Sequence, residues 1–264
     1  MTRVFVLTNH KGGVGKSTSA TNIAFGISRI LAKSNAPNSR VLLIDTDSQG
    51  HATLVTTGRN DFGRDDSLYT VITAEKKDAP IVLANCILPA STLLELAERE
   101  LFGVPGAPFR ISDPLSRIAP RYAAVVIDTR PSFSLMTEMG LVAATDALIP
   151  IEPRYLETVG LQSVMSKIAE IREGWRCHNL SVNGIVITKL DKRVRGHLEL
   201  VERFQNDPLL GKMIRGIIPA NEAIAYAHND HRSVYQYDPG SPASLAYAQL
   251  VKQLVRDMFA KGGA

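Results

Sequence analysis

Ten residues near the amino terminus, Asn9-His10-Lys11-Gly12-Gly13-Val14-Gly15-Lys16-Ser17-Thr18, bring together three glycines, two lysines and two hydroxyls. Glycines let successive backbone N–H groups curl round an anion without Cβ clashes, and a helix that follows adds partial positive charge. The chemistry is phosphate binding. Backbone groups of Gly12, Gly13, Val14, Gly15, Lys16, Ser17 and Thr18 would hold phosphates. Lys16 would reach the β- and γ-phosphates of a nucleotide such as ATP, and the Ser17 hydroxyl would ligate Mg²⁺. The usual pattern, G-x-x-x-x-G-K-[ST], has glycine where this chain has His10, and it has no counterpart of the extra lysine, Lys11.

Carboxylates for such a site stand at the ends of apolar runs. Val125-Val126-Ile127 leads into Asp128, and Val41-Leu42-Leu43-Ile44 leads into Asp45, with Asp47 two residues on. A strand ending in a carboxylate presents it at the carboxyl edge of a sheet, where ligands bind in open α/β folds. Asp128 is thereby placed to hold a metal ion, and a helix cap is the plainer role for it. For Asp45 and Asp47 the plainer role is turn chemistry before Gly50.

The elements that must position these groups are legible as short, β-branched, nearly continuous apolar runs at 4–7, 41–44, 125–127, 147–149, 184–187 and 217–218. Such runs read as strands buried on both faces of a parallel sheet. Helical patterns at 17–33, 92–101, 134–143, 156–173, 196–205 and 241–260 alternate with them. The expectation is an α/β, doubly wound, mostly parallel sheet with helices on both faces, one P-loop domain over 1–264. Gly, Pro and Asp clusters at 59–80 and 103–114 predict surface loops.

Composition fits an ordinary folded domain: 264 residues, 45% hydrophobic and 21% charged, with no repeat and no low-complexity tract. A net charge of +4 permits contacts with nucleic acid without demanding them. Cys86 and Cys177 form no metal or disulfide framework and suit a reducing cytosol. No stretch reaches the length of a membrane-spanning helix, so a cytoplasmic protein is expected.

Lys11 to Thr18 resembles the deviant Walker A motif of the ParA/MinD ATPases. Asp45-Thr46-Asp47-Ser48-Gln49-Gly50-His51-Ala52-Thr53 is similar to the ParA signature D-x-D-P-Q-G-N-A-T, with Ser48 and His51 as departures. Asp128-Thr129-Arg130-Pro131-Ser132 resembles the Walker B segment D-T-P-P-S, with Arg130 in place of proline. Later landmarks match at Thr188-Lys189-Leu190-Asp191, Ile217-Ile218-Pro219-Ala220-Asn221 and Tyr237-Asp238-Pro239, so the resemblance spans almost the whole chain and favours the ParA branch.

The resemblance implies an ATP hydrolase, weak alone and stimulated by a partner and DNA, that forms an ATP-sandwich homodimer. Lys11 would reach the phosphates of the other subunit, Asp45 would orient the attacking water with Asp47 in the same region, and Asp128 would hold Mg²⁺. Adenine would lie near Thr188, Pro219 and Asn221. Non-specific DNA binding would fall on Lys189, Lys192, Arg193 and Arg195, although Ala220 replaces the arginine of a P-R-N turn; Arg215, Lys212 or Arg232 are substitutes. The implied role is segregation of plasmid or chromosome DNA with a ParB-like centromere-binding or cargo-adaptor protein, in the cytoplasm on the nucleoid.

Related ATPases position protein cargo on the nucleoid instead. A MinD-like membrane-surface ATPase needs an amphipathic carboxyl-terminal segment. Here the stripe Leu250, Val251, Leu254, Val255 is expected to pack on the sheet, so no stable membrane association is expected. An iron–sulfur ATPase is disfavoured because neither cysteine has C-x-x-C spacing.

Overall fold

A computed structural model describes residues 1–74, 83, 86–154 and 157–260. Among these residues, seven strands form one sheet: β1 (Arg3–Leu7), β2 (Val41–Asp45), β3 (Ile87–Leu88), β4 (Ala124–Asp128), β5 (Asp146–Ile151), β6 (Ser181–Leu190) and β7 (Ile214–Pro219). Their order is β3-β2-β4-β1-β5-β6-β7, and every pairing is parallel. Among the described residues, twelve α-helices accompany them: α1 (Lys16–Lys33), α2 (His51–Thr57), α3 (Leu68–Thr73), α4 (Leu94–Glu100), α5 (Ser112–Ile118), α6 (Leu135–Ala143), α7 (Glu157–Gly174), α8 (Arg195–Asn206), α9 (Leu210–Met213), α10 (Glu222–Asn229), α11 (Val234–Tyr237) and α12 (Pro242–Ala260).

Strand side chains alternate between faces, and both faces are covered. Val4 and Val6 join a core with Leu42, Ile44, Met136 and Met139, whereas Phe5 and Leu7 join another with Leu43, Ile23, Ile27 and Leu250. That is why the strands read as continuous apolar runs. On the second face α1 crosses α12 closely: a Cβ on Gly26 would fall 2.6 Å from Tyr235 Oη and 2.8 Å from Val251 Cγ2. Leu250, Val251, Leu254 and Val255 are buried here, so the apolar stripe of α12 packs on the protein. Among the described residues, no helix is long and apolar enough to cross a membrane.

The stretches expected to be loops carry helices. Leu68, Tyr69 and Ile72 bury α3 within 59–80, of which 75–80 lie outside the described residues, and α5 starts inside 103–114. Each is a short helix among turn-forming residues, too brief to display a helical period.

The chain leaves β1 through α1 on one face and leaves β4 through α6 on the other. The resulting crevice at the carboxyl ends of β1 and β4 is the position where open parallel sheets bind ligands.

Candidate nucleotide-binding site

Residues 8–15 join β1 to α1 and are clamped from β5 and β6. Asn9 Nδ2 donates to the Pro150 carbonyl (2.8 Å), while Asn9 Oδ1 accepts from the Lys11 N–H (3.0 Å). Thr188 Oγ1 lies 2.9 Å from the Val14 carbonyl and 3.1 Å from that of Ile151. Gly13 and Gly15 take φ of 77° and 82°, and a Cβ on Gly15 would meet Thr188 at 3.5 Å. Glycine is favoured at both positions by the left-handed backbone, and at Gly15 the Thr188 side chain lies at ordinary contact distance.

Lys16 opens α1 and is buried, with Nζ donating to the Lys11 carbonyl at 2.8 Å. Burial pulls its pKa down, against the opposing charges of Asp128 and Asp47. A partly desolvated ammonium held by a backbone carbonyl has no carboxylate to give up before it meets a phosphate.

Asp45 and Asp128 stand opposite each other in the β2–β4 register, and both are fully buried. Their surroundings differ. Asp45 Oδ2 accepts from the Thr53 N–H and from Thr53 Oγ1, each at 2.8 Å, and its Oδ1 accepts from the Asp47 N–H at 3.1 Å. Neither carboxylate oxygen of Asp128 accepts a hydrogen bond of standard geometry, although the Ser17 hydroxyl stands close enough to hold its pKa down. Burial, then the charge of Asp45, pushes the Asp128 pKa well up, with Ser17 and Lys16 opposing. Burial likewise raises Asp45, to about 6, against the hydrogen bonds from Thr53.

An orphaned buried carboxylate beside a serine hydroxyl is a donor set suited to Mg²⁺. That ion binds through one or two protein oxygens and fills its octahedron with phosphates and water. The fit rests on the unpartnered Asp128 oxygens and the neighbouring Ser17 hydroxyl.

A cleft of about 560 Å³ opens over the loop, lined by Gly13, Gly15, Lys16, Ser17, Thr18, Asp47, Ser48, Gln49, His51, Arg130, Pro131, Ser132, Lys189 and His228 among others. Asp47 is therefore at the cleft, whereas Asp45 is absent from its lining and already engaged by Thr53. Asp45 ties the Asp47 loop to the start of α2 through Thr53 and the Asp47 N–H, and Asp47 lines the ligand space. Sequence spacing could not tell them apart, since the deciding partner is Thr53, eight residues downstream of Asp45.

Lys189 is exposed but engaged at the phosphate loop. Its backbone is left-handed (φ 53°), and its Nζ bonds the Gly13 carbonyl and pairs with Glu152 at 2.7 Å, at the edge of the phosphate loop. Lys192, Arg193 and Arg195 are exposed on the turn before α8 and at its start. Arg193 pairs with Asp191 (2.8 Å), holding that carboxyl down at about 2, and Arg195 pairs with Glu199 (2.7 Å). Of the substitutes, Arg215 bonds the Asn183 carbonyl and pairs with Asp257.

The residues expected near adenine stand outside the lining of this cleft. Asn221 caps α10, its side chain accepting from the Ala223 N–H at 3.2 Å, and neither Pro219 nor Asn221 lines the cleft. Thr188 is spent on the loop carbonyls. Sequence reasoning missed His228, which lines the cleft half-buried, its pKa lowered by burial and then by His51; it lies in α10, where no signature points.

The all-parallel sheet, the glycine loop at the switch point and the lysine that opens α1 define a P-loop nucleoside-triphosphatase fold. A family model described as "AAA domain" matches residues 2–182. The chromosome partitioning protein ParA of Caulobacter vibrioides is 31% identical over 98% of this chain and 97% of its own. Among solved structures, a complex of McdA from Cyanothece with ATP superposes with a TM-score of 0.80 at 20% identity, covering 97% of this chain and 96% of that one. Cobyrinic acid a,c-diamide synthase from Mycobacterium smegmatis, with ADP and magnesium, superposes with a TM-score of 0.77 at 24% identity, covering 100% and 97%. This chain belongs to the ParA-type partition ATPases of the ParA/MinD family.

Proposed function

We propose that this chain is a Mg²⁺-dependent ATPase that forms an ATP-sandwich homodimer, binds DNA without sequence preference and positions plasmid or chromosome DNA through a ParB-like adaptor, in the cytoplasm on the nucleoid. The observation that carries the enzymatic part is the orphaned, buried Asp128 carboxylate beside Ser17 and Lys16 at the phosphate loop. ATP and magnesium are named for solved structures of the same fold.

Backbone N–H groups of Gly12 to Thr18 bind the phosphates, and Lys16 neutralises charge at the β- and γ-positions. Ser17 and Asp128 would hold the metal, which when bound screens phosphate charge and favours the leaving group. Asp47, at the cleft wall, accepts a proton from or orients the attacking water. Lys11 supplies the second cation, to the nucleotide of the partner subunit. Lys192, Arg193 and Arg195 contact DNA phosphates, so binding depends on salt through counterion release.

The test is binding of a fluorescent duplex of arbitrary sequence at two salt concentrations, with ATP, with ADP and without nucleotide, all in Mg²⁺. Salt-sensitive binding in ATP alone is expected. Absence of binding in every state overturns the DNA role and leaves the ATPase site to be tested by turnover.

A further inference from the structure

Three positions where this chain departs from the ParA-like signatures, Ser48, His51 and Arg130, line the one cleft. Two of them are held by the same helix. On α4, Glu95 and Glu98 lie one turn apart on the same side of the helix. Ser48 Oγ donates to Glu95 Oε1 at 3.1 Å, and Arg130 donates through one guanidinium nitrogen to Glu98 Oε2 at 2.8 Å. Glu98 Oε1 accepts the Leu135 N–H at 3.0 Å, at the start of α6. α4 thus clasps the loop after β2, which carries Asp47, and the loop after β4, which follows Asp128.

Arg130 is about a quarter exposed, with 24% of its side chain accessible, and a single nitrogen contacts Glu98. A guanidinium offers five N–H donors in a planar fork suited to two phosphate oxygens at once, more than one carboxylate oxygen uses. Arg130 lines the same cleft as Lys16 and Ser17, so that spare capacity faces the space that holds the phosphates on the proposed reading.

We infer that Arg130 is a specificity-determining residue of this chain: its guanidinium leaves Glu98 for the terminal phosphate of the triphosphate, and Glu98 is the positioning residue that holds it in reserve. The inference rests on the nucleotide-binding reading above. ATP offers a further charged phosphate that ADP lacks, so the exchange favours ATP. Opening the pair also loosens the grip of α4 on the Arg130–Ser132 loop, while Glu98 keeps its bond to the start of α6.

Titration with fluorescent ATP and ADP in Mg²⁺ tests this. Arg130→Pro, which restores the residue of the family pattern, and Arg130→Ala should each weaken ATP binding about tenfold, the equivalent of one charge-assisted hydrogen bond, and leave ADP binding nearly unchanged. Arg130→Lys should recover only part of the loss, because an ammonium lacks the fork. Glu98→Gln keeps an acceptor for Leu135 but loses the charge, so it should tighten ATP several-fold at an unchanged melting temperature. Repeating the titrations in a Lys11→Ala chain removes the sandwich contribution, and the Arg130 effect should persist there. Equal binding of ATP by wild type and both Arg130 variants, or equal weakening of ATP and ADP, overturns the inference. Failure of the wild-type chain to bind either nucleotide, or retention of binding by Lys16→Ala, overturns the underlying reading instead.

Discussion

Asp45 and Asp128 occupy equivalent places, opposite each other at the ends of β2 and β4 and both without solvent contact, yet one accepts three hydrogen bonds and the other none of standard geometry. Burying a charged group without partners costs several kcal/mol, on the order of 2–7 even for a neutral polar group. A fold tolerates that cost where a ligand is to supply the partners. On the proposed reading the satisfied aspartate serves the scaffold, and the unsatisfied one waits for what binds. Proximity in register therefore says little about shared function, and hydrogen-bond status separates the roles.

The largest effect follows from turnover. Asp47→Asn should bind ATP with near wild-type affinity and lose about 100-fold or more in hydrolysis, the range of a general base or water-orienting group. Asp45→Asn, where the chain still folds, should retain far more activity. Phosphate-release assays on both variants decide it: if Asp45→Asn is the inactive one with an unchanged melting temperature, the assignment is reversed.

Stability gives the next contrast, with opposite signs. Asparagine at 45 must turn an N–H₂ towards a donor, so Asp45→Asn should lose about 1–3 kcal/mol of stability by denaturant titration. Asp128→Asn removes an orphaned charge from the ligand-free protein and should be neutral or stabilising, while the rise in melting temperature on adding Mg²⁺ and ATP disappears. Equal destabilisation by the two changes would break the comparison.

Titration sharpens it further. Asp45 sits at about 6 in the folded chain against 3.8 unfolded, so the folded state binds the extra proton between those values. Stability contributed by this group therefore rises as pH falls from about 6 towards 4, and declines as pH increases through that window, by at most ~3 kcal/mol. Asp128, raised as well, adds in the same direction. Chemical denaturation of wild type and Asp45→Asn at pH 4.5 and 7 should show the smaller pH dependence in the variant.

Much of this arrangement was legible in the residues. Runs such as Val125-Val126-Ile127 and Gly184-Ile185-Val186-Ile187 announced strands because both faces are buried and no polar alternation interrupts them. Lys11 to Thr18 announced the loop because few other chemistries need three glycines between two lysines. β3 escaped notice, being two residues long, and so did α2, α3, α5 and α10, whose few turns lie among glycine, proline and aspartate. The site divided in the same way. Residue types marked Asp45, Asp47 and Asp128 alike, while the partners that distinguish them, Thr53 for one and none for another, are tertiary facts. Lys189 followed the same logic: beside Lys192 and Arg193 in sequence it reads as one of a surface cluster, whereas its exposed side chain is engaged by the Gly13 carbonyl and Glu152, both distant in sequence.

The smallest effect extends the distinction between satisfied and unsatisfied charge to the surface. Arg193 and Arg195 are almost wholly exposed and already paired with Asp191 and Glu199. Exposed pairs contribute about 0–1 kcal/mol, so exchanging a carboxylate for a DNA phosphate costs little. Replacing both arginines with alanine should leave melting and ATP turnover unchanged, weaken ATP-state DNA binding uniformly across sequences, and reduce the salt slope by at most about 2, one unit per lost phosphate contact. Adding Lys192→Ala should take a further unit, and more affinity than either arginine alone, because among the described residues it has no ion pair to exchange. An unchanged slope in the triple variant would move the DNA face away from this turn, towards the exposed Lys212 or Arg232.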